Sequence, residues 1–307
     1  MRVRAARAVG LLGAAVLVAA GCGGGQAETG AGACDDCAAG ARELALRARH
    51  VAAAWDGSSA AAAWRRGYHP MGEVVELPRG GLRTRADRRA LRSGSLVLRT
   101  ELPATAAQDA DVTWTGGRAL TRPLEGAAES YRSLAGGEGG AGHRLTVTGA
   151  KLGEMRVVTS RGPATVPAWL FRIAGYDTPL KRAAVTPSKL PRPPIGGLGG
   201  VAGGVESLVR VSADGRTVTV VVLRTSCHTG PGVAARETRG SVVLIGSVTE
   251  RKERKDRKDR GFCAKRAGRE RTTVRLERPV GDRVLLDAHE GRPLRYTSQL
   301  VPSPGWS

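Results

Sequence analysis

Two aliphatic, β-branched runs, Leu208-Val209-Arg210-Val211-Ser212 and Thr217-Val218-Thr219-Val220-Val221-Val222-Leu223, flank Ala213-Asp214-Gly215. No other feature constrains the fold as tightly. Branching at Cβ suits a pleated surface, and Asp-Gly supplies the turn residues of a hairpin, so the segment predicts two antiparallel strands. Further strands are expected at 233–238, 241–249, 272–278 and 283–287. Short strands at this spacing predict an antiparallel, sandwich-like domain over 205–307.

Upstream, 187–204 reads Pro-Ser-Lys-Leu-Pro-Arg-Pro-Pro-Ile followed by alternating glycine pairs, too rich in Pro and Gly for a helix or strand. It is expected to be a linker closing an α+β region over 41–186. In that region Leu44, Ala48, Val51 and Trp55 share a helical stripe, and Asp56-Gly57-Ser58-Ser59 stops it. Ser58 or Ser59 can cap a second helix from Ala60 to Arg66, which Gly67 and Pro70 end. Strands are expected at 74–77, 95–102, 111–114, 143–148, 155–159 and 165–173, with a helix over 124–134 between them. Pro167 inside the last strand points to an edge or a bulge.

The N-terminal residues are ordered basic, apolar, small: Arg2, Arg4 and Arg7, then Leu11 to Ala20, then Gly21-Cys22-Gly23-Gly24-Gly25. That order is an export signal. Its apolar stretch is too short to span ~30 Å of hydrocarbon as a helix. Ala19-Ala20-Gly21-Cys22 resembles the lipobox of bacterial lipoproteins, with Ala19 where leucine is usual. The resemblance implies that 1–21 is removed and that Cys22 is lipidated, with 22–40 as a flexible tether. Trp64 to Pro70, Leu77 to Gly81, Thr159 to Phe171 and Pro279 to Asp287 resemble uncharacterised lipoproteins of Streptomyces and relatives. That group implies no chemistry.

With Cys22 given to the anchor, Cys34, Cys37, Cys227 and Cys263 remain, an even number in an oxidising compartment. The expected pairs are a local Cys34–Cys37 and a long-range Cys227–Cys263. The second would close a loop of about 35 residues and contribute ~3–4 kcal/mol in the chain-entropy model. Cys34-Asp35-Asp36-Cys37 also has the spacing of a redox pair, although two carboxylates between the sulfurs disfavour a thiolate.

The formal charge is +20, from 48 Lys and Arg against 28 Asp and Glu. Only 7 of the 48 basic residues are lysines and there is no asparagine, the mark of a GC-rich coding bias. Aromatics are 4%, too few for a base-stacking platform, and no nucleic-acid partner is expected. For an exported protein the available anions are lipid headgroups and wall polymers. The densest basic run is Arg251, Lys252, Arg254, Lys255, Arg257, Lys258 and Arg260, interrupted by Glu253, Asp256 and Asp259. It reads as a solvated loop or as a basic finger for those anions.

His50, His69, His143, His228 and His289 lack metal-ligand spacing, and no G-x-S-x-G elbow or dinucleotide-binding glycine pattern is present. No catalytic residue, metal or cofactor is therefore assigned. The expected protein is lipid-anchored on the outer face of the membrane, with N-terminal helices, mostly antiparallel strands and a disulfide-closed β-domain. Its expected role is binding or scaffolding. The alternatives are an envelope hydrolase assembled from distant residues and a thiol-redox lipoprotein using Cys34 and Cys37. Cys22→Ser is expected to move the protein from the membrane fraction to the medium. Retention in the membrane fraction would contradict the anchor.

Overall fold

The computed structural model describes residues 31–104, 108–136, 142–198, 203–225, 228–250 and 267–301. The described residues are β-rich with few helices, and one of the sheets is curled. In chain order come α1 (Ala31–Trp55), α2 (Ser59–Arg66), β1 (Val75–Glu76), α3 (Arg85–Arg92) and β2 (Leu96–Leu98). They are followed by β3 (Asp109–Trp114), β4 (Ala119–Pro123), α4 (Ala127–Ala135), β5 (Leu145–Thr159), β6 (Gly162–Ile173) and β7 (Leu180–Ala183). The last strands are β8 (Val205–Val211), β9 (Thr217–Thr225), β10 (His228–Glu237), β11 (Ser241–Glu250), β12 (Ala267–Arg275) and β13 (Val284–Asp287).

The first sheet is organised around β6. One edge of β6 pairs with β5 from Val147↔Ile173 to Thr159↔Gly162. The other edge pairs first with β3, at Thr165 and Ala164, and then with β7, from Ala168 to Phe171. Pro167 falls in the gap between these two partners. A residue without an N–H fits there because no strand waits for a donor, and its carbonyl accepts from the Ala184 N–H at 2.8 Å. The expected bulge or edge is thus a change of partner along a central strand.

β5 is one strand of 15 residues, not the two shorter ones expected. Gly149 to Glu154 reads as a loop, but Gly153 serves packing: a Cβ there would stand 2.8 Å from Leu170 Cδ1 on the facing strand. The reading also missed β4, β7 and α3. Helix α3 is brief and mostly charged, and a capping box between Thr84 and Asp87 sets its start. The Ser58 cap of α2 is as expected, with its hydroxyl accepting from the Ala61 N–H at 3.1 Å. Helix α1 begins at Ala31 rather than Ala41, so its alanine-rich first turns occupy residues expected in a tether.

Two cores result. The first holds Val112, Trp114, Val147, Val166, Phe171 and Leu180 with Ala90, Leu91 and Leu134 of helices α3 and α4. The second joins Val51, Trp55 and Trp64 to Val220, Val243 and Leu285. Helices α1 and α2, early in sequence, thus complete the core of the C-terminal strands. Arg47 Nε donates to the Ala288 carbonyl, and Trp55 Nε1 donates to the Gly291 carbonyl at 2.7 Å. Leu190 and Ile195, in the segment expected to be a linker, pack on this same core.

The C-terminal strands form two three-stranded sheets, β10-β11-β13 and β12-β9-β8. The predicted β8–β9 hairpin is present, with Leu208↔Val220 and Val211↔Val218 paired antiparallel. The antiparallel expectation for these C-terminal strands fails where β13 runs parallel to β11, from Ser241↔Val284 to Leu244↔Asp287. Val242, Val243 and Leu244 are each fully buried, as are Val284, Leu285 and Leu286. Successive strand residues point to opposite faces, so both faces of this sheet are covered. Strands β8 and β9 cover one face and helices α1 and α2 the other.

His69 joins the two cores. Its ring stacks on Trp64 with centroids 4.1 Å apart, while its neighbour Tyr68 lies in the first core. Gly67 makes room for it: a Cβ there would lie within 2.4 Å of His69 Nε2. Only 4% of His69 is exposed, and Nε2 has no hydrogen-bond partner. Burial, assisted by Arg122, lowers its pKa from the ordinary 6.5 to about 4. The unfolded chain takes up this proton near pH 6.5, whereas the folded chain resists until about 4. The contribution is therefore full above pH 6.5 and lost as the pH falls toward 4. The loss is roughly 3 kcal/mol. His69→Phe, which keeps the stack, is expected to flatten stability across this interval in urea unfolding. An unchanged pH slope would contradict it.

Candidate functional site

Residues of β9 alternate between the core and solvent. Val218, Val220 and Val222 are fully buried, which leaves Thr217, Thr219, Val221 and Leu223 on the outer face. Register then places the neighbouring strands. β12 sets Arg269 opposite Leu223, Arg271 opposite Val221, Thr273 opposite Thr219 and Arg275 opposite Thr217. β8 sets Ser207 opposite Val221 and Arg210 opposite Thr219. The Thr219 and Thr273 hydroxyls lie 3.2 Å apart, on the same face. Each cross-strand row of this outer face therefore carries one exposed arginine: Arg269, Arg271, Arg210 and Arg275.

Two of these arginines are held in place. Arg269 makes a bidentate contact with Glu206, Nε to Oε2 at 2.7 Å and Nη2 to Oε1 at 2.7 Å. Arg271 donates to Gln299 Oε1. At this end of the face lies a groove of about 460 Å³, lined by Ser207, Val221, Arg271, Tyr296 and Gln299 among others. That volume falls in the range of small-ligand sites. Its far wall is the C-terminal segment, which adds to the edge of β8 through Leu208 N–H to Arg295 O and Thr297 N–H to Leu208 O.

A second hollow of about 310 Å³ adjoins the groove through Glu206 and Arg295 and reaches Leu223, Asp287 and His289. Asp287 is 1% exposed, and its carboxylate accepts from the Val205 and Glu290 N–H groups at 3.1 and 2.7 Å. Burial pushes its pKa up, against those hydrogen bonds. Its oxygens are turned toward backbone donors, which makes Asp287 a brace for the 287–291 turn. Behind Tyr296, a cavity of about 40 Å³ bounded by Tyr68, Glu125 and Arg182 holds no more than a few waters.

One histidine–carboxylate pair lies elsewhere. His143 Nε2 is 2.6 Å from Asp87 Oδ1, and Tyr176 donates to Asp87 Oδ2 at 2.9 Å. The N–H and hydroxyl of Thr84 also donate to Asp87. Burial alone would raise the Asp87 carboxyl, but the hydrogen bonds from Thr84, His143 and Tyr176 prevail and bring it to about 2. This arrangement orients an imidazole as a general base requires. Among the described residues, however, no serine hydroxyl bonds to His143. The pair fastens the start of β5 to α3.

The residues singled out in the sequence are dispersed. Cys22, Cys227, Cys263 and the basic run from Arg251 to Arg260 lie outside the described residues. Cys34 and Cys37 fall on helix α1, where only the backbone is described. The arginine-bearing face was missed because the strand was expected at 272–278, whereas β12 spans Ala267–Arg275. Its signal was nonetheless present as the period-two series Arg269, Arg271, Thr273 and Arg275. Compared with known protein families, with curated proteins and with solved structures, the chain finds no match.

Proposed function

We propose that the chain is an exported, lipid-anchored protein of the cell envelope that binds an envelope component without transforming it. The observation that carries this reading is the outer face of β8, β9 and β12, where each row presents an arginine beside a groove of about 460 Å³. The basic–apolar–small order ending at Cys22 supports export and anchoring. The resemblance to Streptomyces-type lipoproteins agrees with it. The partners in this reading are anionic headgroups or wall polymers. The run Arg251, Lys252, Arg254, Lys255, Arg257, Lys258 and Arg260, between β11 and β12 in sequence, adds to the same cationic character.

Two disulfides belong to the proposal. Thr225 pairs with Ala267 at the open end of β9 and β12. Cys227 and Cys263 are two and four residues beyond that pair in sequence, which favours the long-range bridge and a disulfide-closed β-domain. Cys34–Cys37 is the second bridge.

A hydrolase reading has one observation in its favour, the 2.6 Å contact between His143 and Asp87. The test separates the two. Full-length protein in mild detergent, mixed with isolated cell-wall material across a salt series, is expected to bind saturably and to persist at moderate salt. It is expected to release no soluble fragments. Release of fragments that His143→Ala abolishes would overturn the binding reading, and retention that vanishes at modest salt would reduce it to unspecific charge.

A further inference from the structure

We infer that the arginine-bearing sheet face binds a linear anionic polymer running obliquely over β12, β9 and β8, reading the wide spacing of its arginines. The inference rests on the binding reading above and gives that site its ligand class. Side chains on one face of a strand recur every two residues, about 6.8 Å. Rows 269, 271, 273 and 275 therefore succeed one another at that interval over ~20 Å, with Arg269, Arg271 and Arg275 on β12 and Arg210 two strands to the side on β8, about 9.6 Å away. An arginine fork donates two parallel hydrogen bonds to a phosphate or carboxylate, and Glu206 and Gln299 already hold two of the four guanidinium groups in place. Thr217, Thr219 and Thr273 share the remaining positions with Ser207, Val221 and Leu223, and the threonines are short and stiff. The face thus stays flat, and hydroxyls can meet the uncharged units between anions.

The shape favours a chain over a bilayer. The arginines are one to a row, and at the 269–271 end the contact surface sinks into the groove, where Ser207 is only 6% exposed. A polymer strand can follow that recess, whereas a planar headgroup layer cannot reach its floor. Acidic groups also border the face: Glu206 on Arg269, and Asp214 near Arg216 and Arg275 at the opposite end. They leave the middle rows, Arg271 and Arg210, as the most cationic part. A ligand with charges matched to the rows gains there, while a ligand of denser charge meets the acidic ends.

The test compares poly(glycerol phosphate), whose phosphodiesters are separated by three-carbon units, with polygalacturonate and with inorganic polyphosphate of equal total charge. Full-length protein in mild detergent is titrated with each at one fixed salt concentration. The widely spaced polymer is expected to bind more tightly than polyphosphate. Arg210→Gln with Arg271→Gln is expected to weaken it about tenfold. The control, Arg85→Gln with Arg89→Gln on the exposed side of α3, removes equal charge and is expected to change binding less than twofold. Tightest binding to polygalacturonate would identify the anion as a carboxylate and leave the geometry intact. Equal affinity for polyphosphate, equal loss in both double variants, or binding only to phosphatidylglycerol vesicles would overturn the inference. Wall retention that ignores Arg210 and Arg271 would contradict this face but leave the binding reading. A complete lack of wall retention would contradict both.

Discussion

The sheet β10-β11-β13 is stable only while both of its faces are covered, and the rest of the C-terminal half is arranged around that requirement. Val242, Val243 and Leu244 are consecutive and fully buried, and so are Val284, Leu285 and Leu286. A strand apolar on both faces belongs in the middle of a three-layer stack. Each such side chain left in water forgoes roughly 1.5–3 kcal/mol. Two helices that precede the whole first core in sequence therefore return to cover the second. Trp55 and Trp64 contribute much of the aromatic volume there, in a protein whose aromatic content is only 4%.

This stack positions the candidate site. With its inner face committed to the core through Leu208, Val218, Val220 and Val222, the β8-β9-β12 sheet can turn only its other face to solvent. Strand alternation then fixes where each arginine points, and the edge contact of Leu208 with residues 295–297 supplies the groove wall. The charge on that face is preorganised rather than free. Glu206 reduces the net charge at Arg269 but holds its guanidinium in one orientation, which lowers the entropic cost of engaging an anion.

What could be read from the sequence was local. The β8–β9 hairpin and the Ser58 cap follow from turn and capping chemistry within a few residues. The break expected within β5 and the late start expected for β12 share a cause. Glycines at 149 and 153 resemble a loop, yet at Gly153 a Cβ would collide with Leu170 of the paired strand β6. Arg269 and Arg271 resemble solvent-exposed loop until β9 pairs with them. The docking of α1 and α2 on β11 and β13 was not legible. An amphipathic stripe such as Ala48, Val51 and Trp55 reveals that a helix buries one face, not which sheet receives it. The parallel entry of β13 beside β11 was hidden for the same reason: strand direction is a tertiary property.

The most direct measurement is amide hydrogen exchange, followed strand by strand, in the full chain and in a chain lacking residues 31–66. If the helices complete the second core, their removal abolishes protection at 242–244 and 284–286 while 166–173 of the first sheet stays protected. Undiminished protection in β11 and β13 without the helices would contradict the account.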